Sequence, residues 1–278
     1  MIRIVFALLL LLASAAVFAA EVKTVRNAVY GRAGGHDLIM HITETDDGAD
    51  FKPAMVCIHG GGFSAGDAES MVPWAGEMAK LGFKCFSIEY RLAGEALWPA
   101  QTEDCKTAVR YIRANAKKYG IDPNRIGAFG HSAGGTLACM LGVMKPGKYE
   151  GEAHPAVSSV VQGVINYCGR ETFTEGAGPR LLDTLFGKAA EGREERIKAA
   201  SPLTNVSRAS APHLLIHGDA DDVVSYRLGE PYRDALRAWG VRCDWLLVEG
   251  GWHIIDNYDV WQDIGRFCRE VFWKEAAR

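Results

Sequence analysis

The stretch GHSAGG, residues 130–135, sets a serine among small residues with a histidine directly before it. Gly130 and Gly134 stand two before and two after Ser132. This G-x-S-x-G spacing suits a nucleophilic serine on a sharp strand-to-helix turn, where side chains at the flanking positions would collide. The neighbours are in the right order. RIGAF (125–129) reads as a buried strand and AGGTLACMLGVM (133–144) as a buried helix. His131 is not the base for such a serine, because successive side chains diverge on a strand or tight turn. A serine of this kind performs acyl transfer, which also needs a base from elsewhere in the chain, an orienting acid and donors for an oxyanion.

HGGGF (59–63) is the candidate source of those donors. Its glycines let backbone N–H groups point into a cavity without side-chain obstruction. Gly61 and Gly62 are expected to donate, with the N–H of Ala133 as a third. The lysine and Ser/Thr of a phosphate-binding loop are missing, and His59 is read as bracing the loop. Of the eight histidines, His36 and His41 fall in an N-terminal hairpin, His154 in a polar loop, and His213 and His217 at the two ends of a strand. His253, in EGGWH (249–253), follows the acidic loop HGDADD (217–222) and is the candidate base. That loop offers three aspartates. It resembles the pattern H-G-x-x-D-x-x-V, completed by Val224, which selects Asp221 as the acid and leaves Asp222 and Asp219 as alternatives.

The elements that must position these groups alternate between strand and helix. Strand candidates are AMVCI (54–58), KCFSIEY (84–90), RIGAF (125–129), SSVVQGVINY (158–167), HLLIH (213–217) and CDWLLVE (243–249). Between the second and third, Cys105, Ala108, Val109, Ile112, Ala116 and Tyr119 keep to one helical face over 100–120, with Gly120 as the stop. Helical patterns also fit 72–80, 228–239 and 259–273. The alternation implies an α/β fold: a mostly parallel sheet with helices on both faces. VKTVRNAVY (22–30) and HDLIMHITE (36–44) read as an antiparallel hairpin at its edge. Such sheets bind ligands beyond the carboxyl ends of their strands, and four separate strands end there in HGGGF, Ser132, HGDADD and GGWH.

The 278 residues suffice for one large domain, expected over 21–278, and the net charge of −3 gives no sign of a nucleic-acid-binding surface or a polybasic membrane patch. Arg3, the apolar run 4–20 and its small residues near the end describe a secretory signal peptide over 1–20, cleaved after Ala19 or Ala20. An uncleaved anchor is the alternative. A secreted or periplasmic protein with no stable membrane association is therefore expected. The seven cysteines lie scattered in apolar runs and read as buried residues; being odd in number, they leave at least one thiol free within the chain. No spacing resembles a zinc site, so no metal is expected.

HGGGF, EYRLAGEALWPAQTEDC, IDPNRIGAFGHSAGG, HGDADDVV and GGWH together resemble the secreted α/β-hydrolase esterases of bacteria: carboxylesterases related to hormone-sensitive lipase, and acetylxylan and feruloyl esterases. The resemblance runs from about residue 36 to 273. It implies the α/β-hydrolase fold of about eight strands, a Ser132–His253–Asp221 triad and no cofactor. Three departures touch the pocket rather than the triad. Glu89 stands where aspartate is common, GEALWPA replaces the usual PEAxFPA, and Ser225 stands where proline is common.

The expected function is that of a secreted serine esterase on short acyl groups, acetyl or feruloyl, of small-molecule or polysaccharide esters. An exopeptidase or formamidase using the same triad, and a binding module on a hydrolase scaffold, are the alternatives. The insertion 168–208 is charged, contains glycine and lacks a long apolar face, so a lid-like segment rather than an acyl tunnel is expected there. Phe63, Trp98 and Trp252 are candidate substrate-contacting aromatics.

Overall fold

The computed structural model describes residues 21–273; the expected signal peptide over 1–20 lies outside the described residues. The strands are β1 (Val22–Ala33), β2 (His36–Thr45), β3 (Lys52–Ile58), β4 (Lys84–Ile88), β5 (Ile121–His131), β6 (Val164–Tyr167), β7 (His213–Gly218) and β8 (Cys243–Val248). They form one sheet in the order β1-β2-β4-β3-β5-β6-β7-β8. The β1–β2 hairpin and the β2–β4 pair are antiparallel, and every pairing from β4 to β8 is parallel. This is the α/β-hydrolase sheet expected from the sequence.

β3, β6 and β7 are buried along their whole length, which is why they read as continuous apolar runs instead of alternating ones. Alternate residues still serve different faces. Val56 and Ile58 join the core under α2 (Ala100–Ala114), α4 (Ala133–Val143) and α7 (Gly229–Ala238). Met55 and Cys57 join the core under α1 (Val72–Lys80) and α8 (Trp261–Cys268). The predicted apolar stripe from Cys105 to Tyr119 is buried throughout. The helix breaks once, at Asn115, whose side-chain amide donates to Tyr111 O at 2.8 Å; α3 (Ala116–Tyr119) then ends on Gly120 at φ +62°. Among the described residues no helix is long and apolar enough to cross a membrane.

Two expectations are corrected. Over 158–167 only Val164–Tyr167 is strand. Arg113 of α2 takes the carbonyls of Ser158 and Val160, so those acceptors are satisfied outside the sheet ladder. Trp98 is core: it is 5% exposed and packs against Tyr149 and Phe186, ring centroids 4.8 and 6.1 Å away. Phe186 comes from the insertion, which carries α5 (Pro179–Phe186) and α6 (Arg193–Ala200) and buries Leu185 and Phe186. A pattern read along the chain could not show that this distant helix would cover Trp98.

The loop carrying Tyr149 is tied to α2 by charge. Lys106 and Arg110, with side chains 1% exposed, converge on Glu150, Lys106 Nζ at 2.8 Å from one oxygen and Arg110 Nη1 at 2.9 Å from the other. Removing one partner of a buried ionic cluster strands the rest. Glu150→Ala is expected to lower stability by about 3 kcal/mol, read as a lower urea midpoint at unchanged slope; an unshifted midpoint would show that the carbonyls of Lys148 and Glu150, to which Lys106 and Arg110 also donate, alone satisfy both cations.

Candidate active site

Ser132 occupies the single residue between β5 and α4, at φ +55° and ψ −121°. The flanking glycines are required by close backbone approach. A Cβ on Gly130 would lie 2.1 Å from Gly134 O, and one on Gly134 would lie 2.0 Å from Ile58 O. Ser132 N–H donates to Tyr167 O at 2.8 Å, which ties the turn to β6.

The turn presents Oγ 2.9 Å from His253 Nε2, and His253 Nδ1 lies 2.8 Å from Asp221 Oδ2. It is Asp221, not Asp222, that meets the imidazole. The Asp221 side chain is fully buried, and its Oδ1 accepts the N–H groups of Val223 and Val224, each at 2.9 Å. Burial pushes this carboxyl up, but bonds from His217, Val224, His253 and Val223 outweigh it and hold the group well below the usual carboxylate range. An ionised Asp221 takes its proton bond from Nδ1–H, so Nε2 carries the lone pair and accepts from Ser132 Oγ–H. Asp222 is exposed. Asp219 accepts from Gly250 N–H at 2.7 Å and so links the acid and base loops.

The loop bearing His253 is pinned from several sides. A Cβ on Gly218 would lie 2.0 Å from Gly251 O, and Ala220 N–H donates to Gly251 O at 3.0 Å. Tyr167 OH accepts from Ile255 N–H at 2.8 Å and lies 3.3 Å from Ile255 O. His131 Nε2 lies 3.2 Å from His253 O, so it carries the proton of that bond. Burial pushes His131 down to about 4, and its ring stacks on Trp74 at 5.8 Å. His131 thus braces the base from behind. Sequence reasoning missed Tyr167; its signal was an aromatic with a hydroxyl at the carboxyl end of a central strand.

HGGGF follows β3. His59 is buried, donates from Nδ1 to Gly60 O at 2.7 Å and stacks on Tyr90 at 4.2 Å, the bracing position expected for it. Ala93 N–H donates to Phe63 O at 2.7 Å. A cavity of about 150 Å³ opens on Ser132, with Gly62, Phe63, Ala133, Leu181 and Val223 among its walls. Gly61 sits one residue behind, its carbonyl accepting from Ser64 and Ala65. Thr136, Arg170 and Val224 also line this cavity; Val224 completes the acid-loop pattern, whereas nothing in the local sequence marked Thr136, Arg170 or Leu181. Trp252 is 57% exposed beside His253, outside the cavity lining, and Trp98 does not reach the site.

Cys168, His217 and Asp221 hold potential metal-ligand atoms within 4.8 Å of one another. Their chemistry fits a metal poorly. Burial pushes the Cys168 thiol well above its ordinary value, and His217 Nε2 faces two oxygen acceptors, Val224 O at 2.9 Å and Asp221 Oδ2 at 3.0 Å, which require a proton on that nitrogen.

A family model described as BD-FAE matches residues 40–236. The chain belongs to that family, of α/β-hydrolase esterases. Esterase LipC of Mycobacterium tuberculosis is 30% identical over 218 residues, 74% of this chain and 54% of that protein; Esterase LipQ of the same organism is 27% identical over 216 residues, 74% and 51%. The chain thus spans about half the length of these relatives. A truncated form of a carbohydrate esterase from gut microbiota superposes with a TM-score of 0.81 at 28% identity, covering 92% of this chain and 98% of that one. A thermophilic esterase from Thermogutta terrifontis, described with propionate bound, gives a TM-score of 0.77 at 25% identity, covering 94% and 97%.

The geometry makes the acid assignment testable through the reactivity of Ser132. Asp221→Asn is expected to slow labelling of Ser132 by a fluorophosphonate probe by about 10³-fold or more while the protein stays folded, because the imidazole loses its orienting anion. Asp222→Asn is expected to label at the wild-type rate. Reversed results would assign the acid to Asp222.

Proposed function

We propose that this BD-FAE family member is an exported serine esterase that cleaves short acyl groups, acetyl above all, from ester-decorated carbohydrates. The observation that carries the reading is the unbroken line Ser132 Oγ–His253–Asp221, with links of 2.9 and 2.8 Å, opening on a cavity of about 150 Å³.

In this reading Ser132 Oγ attacks the ester carbonyl as its proton passes to His253 Nε2. Asp221 stabilises the imidazolium and keeps its tautomer. The carbonyl oxygen becomes an oxyanion and takes bonds from the N–H groups of Gly62 and Ala133, with Gly61 as the further donor. His253 then protonates the departing alkoxide, and the acyl-enzyme is released by a water activated through the same imidazole. The small acyl preference is supported by the cavity walls: Phe63, Leu181 and Val223 leave room near Ser132 for a few heavy atoms, far less than a drug-sized site of about 300 Å³ or more. A relative described with propionate bound points the same way. The carbohydrate leaving group is supported by the carbohydrate-esterase likeness and by the exposed Trp252 beside His253, whose indole offers a face for a sugar ring.

Ser132→Ala is expected to abolish detectable hydrolysis of p-nitrophenyl acetate. In the wild type, a series of p-nitrophenyl esters should peak at two to four carbons, with acetate released from acetylated xylan. A peak at eight carbons or more, or faster release from methyl ferulate or aminoacyl anilides than from acetyl esters, overturns the acyl assignment. Export is read from residues 1–20. N-terminal sequencing of protein recovered from the periplasm or medium should begin at Ala20 or Glu21; an intact Met1 on the exported protein counts against cleavage.

A further inference from the structure

His217 lies outside the line from Ser132 to Asp221, yet it touches the same carboxylate. It sits near the end of β7, is 2% exposed, and its Nε2 lies 2.9 Å from Val224 O and 3.0 Å from Asp221 Oδ2. Both neighbours are acceptors, so this nitrogen is a donor. The same Oδ2 receives His253 Nδ1 at 2.8 Å. The torsion that turns an aspartate carboxyl is broad, so the position of Oδ2 depends on what holds it. Oδ1 is held by the N–H groups of Val223 and Val224, and Val224 is held in turn, through its carbonyl, by His217. The contacts close a ring: carboxylate, Val224 N–H, Val224 C=O, His217 Nε2–H, carboxylate.

We infer that His217 is a positioning residue, whose Nε2–H, shared between Val224 O and Asp221 Oδ2, keeps the carboxylate turned so that Oδ2 faces His253. The inference rests on the proposed serine-esterase reading. The surroundings are consistent with a permanent donor. The groups facing His217 are Asp221, Glu171 and Cys168. Burial draws its pKa down, but the bond to Asp221 and the charge of Glu171 outweigh this and raise it. The role needs only one N–H at the Nε2 position, not a positive charge. Glutamine, whose amide nitrogen reaches that position, can supply it; alanine cannot.

The test compares full-length wild type, His217→Ala and His217→Gln for kcat and KM on p-nitrophenyl acetate, with thermal melting by circular dichroism. His217→Ala is expected to lose about 10- to 100-fold in kcat with KM within about twofold, since a small displacement of the acid is felt in the transition state rather than in binding. His217→Gln is expected to recover to within about threefold of wild type. A role in fold support alone would move melting and active fraction but would not distinguish the two side chains at equal stability. Folded His217→Ala with wild-type kcat overturns the inference. So does folded His217→Gln as slow as His217→Ala, or failure of both variants to fold, which would assign His217 to the end of β7 instead. A wild type inert both to the ester and to a fluorophosphonate probe sinks the esterase reading itself; an active wild type with any of the preceding results sinks only this inference.

Discussion

The site depends on a backbone that is bent where L-residues resist bending. Ser132 at φ +55° and ψ −121° holds a conformation that costs on the order of 1–3 kcal/mol. It persists because its surroundings over-determine it. Gly134 rests on the carbonyls of Ile58 and His59, and Gly60 packs against Ser132 Cβ and His131. The first turn of α4 and the start of the HGGGF loop are thereby pressed into one contact, backbone to backbone. The separation between the Ser132 backbone and the glycine loop follows from this contact, so it is set before any substrate arrives.

The other half of the site is assembled on β7 and β8 by the same device. Gly218 against Gly251, and Asp219 against Gly250, lock the acid and base loops to each other. The two halves then meet through β6 and His131. Tyr167 serves both, its carbonyl receiving Ser132 N–H and its hydroxyl receiving Ile255 N–H. His131, pushed down to about 4 by burial, is neutral at ordinary pH. It can steady the carbonyl of His253 without placing a second positive charge beside the imidazolium of the proposed mechanism.

Much of this was legible in the sequence, for stated reasons. Ser132, Asp221 and His253 sit in short patterns whose glycines answer a steric demand, and such demands are local. The edge hairpin and the stripe from Cys105 to Tyr119 follow from periodicities of two and 3.6 residues. Of the cavity at Ser132, Phe63 was legible as an aromatic in the glycine loop, but Arg170 and Leu181 of the insertion and Val223 of the acid loop were not, because only tertiary packing makes them neighbours. Trp98 misled for the same reason: its preference for burial was met by Phe186, some ninety residues on. The strand over 158–163 failed because an arginine side chain, which propensity does not weigh, competed for its carbonyls.

All seven cysteines are free and buried, on both faces of the sheet. Cys57 and Cys85 lie on neighbouring strands at full burial, and burial pushes the Cys85 thiol well above its ordinary value. Thiols kept away from solvent do not exchange or oxidise while the fold is closed. Their modification therefore measures how often the molecule opens. In this protein thiol modification waits on opening, so at a fixed oxidant its rate follows how readily the fold opens.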